Sequence, residues 1–328
     1  MFQNDLGNIH LCCGEAIEFY DKWKSPVVIV CDGPYGVNGY PGDLLSPYEL
    51  GQWYEPHIKK WSSLATPITT LWFWNTELGW TNVHPVLEKY GWQYVSCCVW
   101  DKGISHIAGN TNTKTIRHLP IVTEICVQYV KKPIFLIDDK EISMQEWLRY
   151  EWKRTGLPLS KTNEACGVKN AATRKYFTNC HLWYMPPPDA FEKFSNYANV
   201  YGDQNKKPYF SIDGKKSISK NEWEAMRSKF YCPMGITNVW KESQLRGKER
   251  LKIHHKAIHL NQKPLSLIKR IIEITSDIGD VVWDPFAGLF TTAIASIELN
   301  RICYCAEINP EIYNVALDRV KTSLQNVC

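Results

Sequence analysis

Pro26-Val27-Val28-Ile29-Val30-Cys31-Asp32-Gly33-Pro34-Tyr35 joins an apolar run to a carboxylate, a glycine, a proline and an aromatic ring. The run from Pro26 to Val30 is short, β-branched and without alternation. That pattern predicts a strand buried on both faces of a parallel sheet. Asp32 then falls at the carboxyl end of the strand, where open α/β sheets hold their ligands. Gly33 and Pro34 make a tight turn, which lets the Asp32 side chain and backbone carbonyls point into a cleft. The same residue types also build ordinary βα turns.

Outward from this turn, further strands are predicted at Asn8–Cys13, Pro67–Trp74, Gln93–Trp100 and Glu124–Val130. Helices are predicted at Ala16–Trp23, Pro47–Leu64 and Thr81–Tyr90. Gly36 to Gly51 reads as a flap beside the cleft, and Gly109 to Leu119 as a polar loop. Strands alternating with helices imply an α/β fold with a parallel sheet.

A second stretch repeats the outline far along the chain. Pro264 fits the first position of an amphipathic helix carrying Leu265, Leu267, Ile268, Ile271, Ile272 and Ile274, ended by Gly279-Asp280. Val281 to Trp283 is a short buried strand, and Asp284-Pro285-Phe286-Ala287-Gly288 turns into a helix, Thr291–Leu299. The next strand, Ile302–Ala306, ends in Glu307. A glycine turn between strand and helix, followed by an acid closing the next strand, is the mononucleotide half of a dinucleotide fold. The glycine lets backbone approach a ligand and the acid accepts bonds from ribose hydroxyls. A βαβ unit with no ligand has the same outline.

Between these halves the character changes. Residues 140–260 hold 22 Lys and Arg against 12 Asp and Glu, while the remainder holds 16 against 22. A basic middle suits a polyanion, nucleic acid above all, although a lysine-rich solvated surface has the same count. Ile142–Arg154 reads as a helix. Ser160 can cap a short helix, Lys161–Cys166, which Gly167 ends in a left-handed conformation. Ala171–Phe177 would be a second helix. Two short helices across such a turn resemble a helix-turn-helix, with Lys169, Asn170, Thr173, Arg174 and Lys175 at the exposed start of the second. Asn and Arg can pair with base edges there; a helical hairpin with a charged solvent face is the alternative. His181–Asp189 reads as a rigid connector, with helices at Ala190–Asn199 and Trp223–Phe230. His254, His255 and His259 lack ligand partners at metal-binding spacing, so no metal is expected.

Of the 328 residues 44% are hydrophobic and 13% aromatic, with 14 Trp, enough for a substantial core. No apolar stretch reaches the roughly 18 residues of a membrane span, and no charged-then-apolar leader opens the chain. The 12 Cys show no disulfide framework and no paired zinc spacing. A soluble, cytoplasmic protein is expected.

The combination resembles the S-adenosylmethionine-dependent amino-group DNA methyltransferases in their permuted β arrangement. In that family an Asp-Pro-Pro-Tyr signature precedes the target-recognition region, and a Lys-Pro helix and Asp-Pro-Phe-x-Gly-x-Gly turn come last. The likeness covers about residues 8–132 and 236–328. It implies a Rossmann-like methyltransferase sheet with circularly permuted motif order and an inserted, mostly helical recognition region. The implied parts are a catalytic half, 1–138, the insertion, 139–235, and a cofactor-binding half, 236–328. Carried over by position, Asp32, Gly33, Pro34 and Tyr35 would be catalytic, with a flipped base stacked on Tyr35. Lys263, Pro264, Asp284, Pro285, Phe286, Gly288, Thr291 and Glu307 would line the S-adenosylmethionine pocket. Two positions depart: Gly33 replaces the first Pro of the signature, and Leu289-Phe290 replaces a small residue and a Gly. The partner implied is double-stranded DNA. A cognate restriction endonuclease and a second copy of the chain, as a homodimer, are further candidates. Asp at the first signature position points to adenine N6. Cytosine N4, an RNA or protein amine, and a DNA-binding protein that has lost its methyl donor are the alternatives.

Overall fold

The computed structural model describes residues 2–38, 43–107, 114–203, 207–245, 252–253, 256–257 and 262–327. It divides into two compact units, Met1–Lys131 with Ser228–Cys328, and Lys132–Arg227. The expected insertion, 139–235, lies a few residues later at each end.

In chain order the first unit opens with β1 (Phe2–Leu6) and β2 (Ile9–Cys13), a hairpin turning at Gly7 with φ +67°. There follow β3 (Val28–Cys31), α1 (Leu50–Leu64), β4 (Thr70–Asn75), α2 (Glu77–Lys89), β5 (Trp92–Asp101) and β6 (Thr123–Lys131). The second unit holds β7 (Phe135–Ile137), β8 (Lys140–Ile142), α3 (Met144–Arg154), α4 (Lys161–Ala165), α5 (Pro188–Tyr201) and α6 (Lys220–Glu224). Back in the first unit come β9 (Val239–Lys241) and a two-residue ribbon, β10 (Lys252–Ile253) with β11 (Lys256–Ala257). Last are α7 (Leu265–Thr275), β12 (Val281–Asp284), α8 (Thr291–Glu298), β13 (Ile302–Glu307) and α9 (Pro310–Val327).

Among the described residues the main sheet runs β1-β2-β13-β12-β3-β4-β6-β5-β9. The strands from β2 to β4 pair in parallel, so the two C-terminal strands lie between two N-terminal ones. β6 departs from the parallel expectation, pairing antiparallel with both β4 and β5. The reason is the connection. No crossover helix stands between β5 and β6 among the described residues, and without one a returning strand runs antiparallel.

Side chains alternate strictly between two cores. Val28, Val30, Trp72, Trp74 and Val282 face α7, α8 and α9, whereas Ile29, Cys31, Leu71, Phe73 and Trp283 face α1 and α2. Period two with both faces apolar is what a sheet covered by helices requires. Three-layer α/β/α packing follows in this unit.

The second unit has its own core of Trp147, Trp152, Phe177, Phe191, Phe194, Phe210 and Trp223. Phe191 stacks on Trp223 at 4.0 Å between ring centroids. Capping boxes at Ser143/Glu146 and Ser219/Glu222 start α3 and α6.

Several predicted helices differ. Ala16–Trp23 is two single 3₁₀ turns, Ala16–Glu18 and Tyr20–Lys22. The capping box at Ser219 starts α6 early, so Trp223–Phe230 is helical only to Glu224. α7 stops at Thr275, not at Gly279-Asp280, because Ser276 turns extended at φ −149° and ψ 163°; the Thr275 and Ser276 hydroxyls donate back to the Ile271 and Ile272 carbonyls. Pro264 is the residue before α7, at ψ 134°, rather than its first helical position. Ser160 makes no side-chain capping bond. Gly167 is left-handed at φ +70°, but the segment after it forms one wide turn, Thr173–Phe177, with Thr178 N–H donating to Thr173 O at 3.0 Å.

Candidate active site

Val28 pairs with Val282 and Ile29 with Trp283, so β3 and β12 end side by side. Asp32 and Asp284 therefore leave the sheet together at its carboxyl edge. Between them lies a cleft lined by Asp32, Lys263, Asp284, Phe286, Gly288 and Thr291, among others.

The turn after β3 is fixed by close packing and by hydrogen bonds. A Cβ on Gly33 would sit 2.5 Å from Tyr54 Oη and 2.7 Å from Phe286 Cδ2, so any side chain here collides with two rings. Tyr54 and Phe286 occupy the space that a proline ring at this position would need. The Pro34 carbonyl accepts from Asn75 Nδ2 at 3.0 Å and Tyr54 Oη at 3.1 Å. Asp43 Oδ1 accepts from the backbone N–H of Tyr35, Gly36 and Leu44, and Oδ2 from that of Val37.

Around Asp32 stands a buried charge network. Lys263 Nζ donates to Asp32 Oδ1 at 2.6 Å and to Glu124 Oε1 at 2.9 Å. Tyr35 Oη lies 2.9 Å from Asp32 Oδ1 and 2.5 Å from Glu124 Oε1. Lys102 Nζ meets the other oxygen of Glu124 at 2.8 Å. Lys263 also lies 5.3 Å from the Tyr35 ring centroid and 5.4 Å from that of Trp74. Burial alone would raise Glu124, but the ammonium groups of Lys263 and Lys102 override it and hold the carboxyl at about 2. Burial opposes charge on Lys263 too, and Asp32 and Glu124 reverse that and raise it. Tyr35 is raised by burial and by the same two carboxylates.

The turn after β12 is built differently. Thr292 Oγ1 donates to Asp284 Oδ2 at 2.5 Å and the Phe286 N–H to Oδ1 at 3.2 Å. Burial, reinforced by the negative charges of Asp32 and Glu307, pushes Asp284 up to about 7 despite these bonds. Pro285 is buried behind it. Gly288 and Phe290 both take left-handed conformations, at φ +49° and +57°. Phe290 is fully buried, edge-on to Tyr313 at 5.4 Å. Arg319 Nη1 reaches across from α9 to Leu289 O at 2.8 Å and Thr291 Oγ1 at 3.3 Å. Glu307, at the end of β13, accepts from the N–H groups of Asn309, Gly288 and Ile308, and burial still raises it.

Most of the expected site residues of the first unit thus converge. Lys263 lines the cleft, and its ammonium rests on Asp32 and Glu124. Tyr35 is 6% exposed with its hydroxyl engaged, and neither it nor Glu307 lines the cleft directly. In the second unit Lys169, Asn170 and Arg174 are exposed. Lys175 lies over the Tyr184 ring. Thr173 is turned inward, its N–H on Asn163 Oδ1 and its hydroxyl on Thr162. His254, His255 and His259 lie outside the described residues. Sequence reading missed Glu124, Lys102 and Asp43. The visible signal was slight: an acid opening a strand, a lysine closing one, and one more aspartate in a polar loop.

Known proteins resemble this chain in sequence and in fold. The type II methyltransferase M1.MboII of Moraxella bovis is 35% identical over 189 residues, 54% of this chain and 62% of that one. The matched stretches take in 21 to 62% of the length of three such relatives. Among solved structures, the cytosine-N4-specific PvuII DNA methyltransferase superposes with a TM-score of 0.56 at 10% identity, covering 98% of this chain and 93% of that one. The M1.HpyAVI complex with S-adenosylmethionine gives 0.50 at 17% identity, covering 95% and 98%. Both share the fold. The N6/N4 DNA methylase family matches residues 27–318, and the chain belongs to that family.

Proposed function

We propose that the chain transfers a methyl group from S-adenosylmethionine to the exocyclic N6 amine of a flipped-out adenine in double-stranded DNA, as the modification half of a restriction-modification system. The observation that carries this reading is the single cleft shared by Asp32 and the Asp284–Thr292 turn. The residues fit the methyl donor: a glycine turn with left-handed Gly288, a buried acid closing the next strand, and an aromatic ring, Phe286, at the mouth. S-adenosylmethionine bound there would supply an electrophilic methyl on sulfur.

The rest is done by the chain. An exocyclic amine is a weak nucleophile because its lone pair is delocalised into the ring. Asp32 and the Gly33 carbonyl would accept its N–H bonds and favour a tetrahedral nitrogen, which is positioning and electrostatics without a covalent intermediate. Duplex bases cannot reach the cleft stacked, so the base must swing out. The exposed Lys169, Asn170 and Arg174 would meet DNA.

Asp32→Ala should abolish methyl transfer from labelled S-adenosylmethionine to DNA of a methylation-free host, with DNA binding retained. Undiminished transfer overturns the assignment. Mass spectrometry of the digested product separates N6-methyladenine from N4-methylcytosine, and the latter overturns the choice of base.

A further inference from the structure

We infer that Glu124 is a positioning residue for methyl transfer: it holds Lys263 and Tyr35 on one oxygen of Asp32, so that the other oxygen is presented to the substrate amine. This rests on the reading of Asp32 as amine acceptor.

Among the described residues, Asp32 is met on Oδ1, by the Lys263 ammonium at 2.6 Å and by Tyr35 Oη at 2.9 Å, whose single proton is divided between this oxygen and Glu124 Oε1. Glu124 Oε1 faces the same two groups, at 2.9 and 2.5 Å. Four groups from three places in the chain thus close a ring: Asp32 and Tyr35 after β3, Glu124 on β6, and Lys263 before α7. Lys102, following β5, braces Glu124 from outside through Oε2. Lys263 is 4% exposed and Glu124 is 9% exposed, so the ring sits largely out of water and each member depends on the others for compensation.

The arrangement has a direct consequence for geometry. A carboxylate with one oxygen fixed twice cannot rotate freely about χ2. Its second oxygen is then pre-aimed, which is the kind of organisation that transition-state stabilisation needs. Without the Glu124 charge, Lys263 would keep one carboxylate partner and face the Lys102 ammonium with nothing between them. Its proton would be held less tightly. Asp32 and Glu124 hold its charge against burial; the other titratable groups of the surroundings are Tyr35 and Lys102, both on Glu124, with Cys126 on β6 and Asp284 on β12.

The test is Glu124→Gln in the full chain, which keeps the shape and removes the charge. Displacing a catalytic group slightly costs on the order of 100-fold. We expect kcat to fall roughly 10- to 100-fold, with KM for DNA and for S-adenosylmethionine unchanged, and the alkaline limb of the kcat profile to move to lower pH. Glu124→Asp should restore the pH profile and part of the rate. A role confined to folding would lower Tm and leave the profile where it was. Should Glu124→Gln fail to fold, Lys102→Met replaces it. That variant removes one of the two cations keeping Glu124 ionised and should raise the acid limb of the kcat profile. Wild-type kcat with an unmoved profile in the folded variant overturns the inference. Asp32→Ala in the same assay separates the two levels. If it is inactive while Glu124→Gln is normal, only the inference fails; if it is fully active, the functional reading fails.

Discussion

Two buried acids, Asp284 lining the cleft and Glu124 behind its Lys263, have opposite fates. Glu124 is 9% exposed and Asp284 is 4% exposed, yet the first is held at about 2 and the second rises to about 7. Burial pushes both upward. The difference is cations: Glu124 has the ammonium groups of Lys263 and Lys102, whereas Asp284 has a hydroxyl and one backbone N–H. Hydrogen bonds from neutral donors do not replace a charge in a dry site. The turn after β3 is therefore a compensated ionic cluster, and the turn after β12 is an acid poised to titrate near neutrality.

The contrast breaks most sharply at Lys263. Lys263→Met leaves Asp32 and Glu124 side by side with only Lys102 to offset them, and such a change costs about 3–5 kcal/mol. Urea unfolding measures it; a loss below about 1 kcal/mol would mean that the cluster is not held by charge.

The second turn is held by packing, and Phe290 probes it. Phe290→Ala should cost about 3 kcal/mol or more from the lost ring. At φ +57° a glycine escapes the strain that alanine keeps, so Phe290→Gly should be more stable than Phe290→Ala by about 1 kcal/mol. The reverse order in thermal unfolding would show that the left-handed backbone carries no strain.

The smallest effect is a slope. Asp284 is raised from 3.8 to about 7, so the unfolded chain loses this proton first as pH rises. Its contribution to stability is full below about pH 4 and is lost as pH climbs towards 7. Glu124, lowered from 4.5 to about 2, does the opposite: its contribution is present above pH 4.5 and lost as pH falls towards 2. Asp284→Asn should flatten the decline between pH 4 and 7, a slope of at most about 1.4 kcal/mol per pH unit for one proton. Glu307, raised the same way, keeps the remainder. An unchanged slope in urea midpoints across that range would show that Asp284 is ionised throughout.

Sequence showed the parts of this contrast that are local. β3 and β12 stand out as β-branched runs and β13 as a short apolar run, each buried on both faces, and both turns follow from them. β1 was invisible: Phe2–Leu6 is mostly polar, and only its hairpin partner makes it a strand. The direction of β6 was hidden because pairing depends on the connection and not on the strand's own residues. Glu124 and Lys102 escaped for a related reason. A lone acid and a lone lysine have no pattern, and their meaning comes only from Lys263, far along the chain, arriving at the other oxygen of Glu124. Phe290 illustrates the converse. Its departure from the family pattern was plain, but its accommodation depends on Tyr313 across the α8–α9 packing.

The position of β12 and β13 between β2 and β3 sets a schedule for assembly. During synthesis the ribosome releases the outer strands of the central sheet long before the two that belong between them, and contacts across some 250 residues must form before the layer can close. Until then β2 and β3 expose pairing edges to any neighbouring polypeptide. Rapid dilution of the unfolded chain at high concentration should therefore favour aggregation, and a separately supplied 228–328 fragment should compete for those edges.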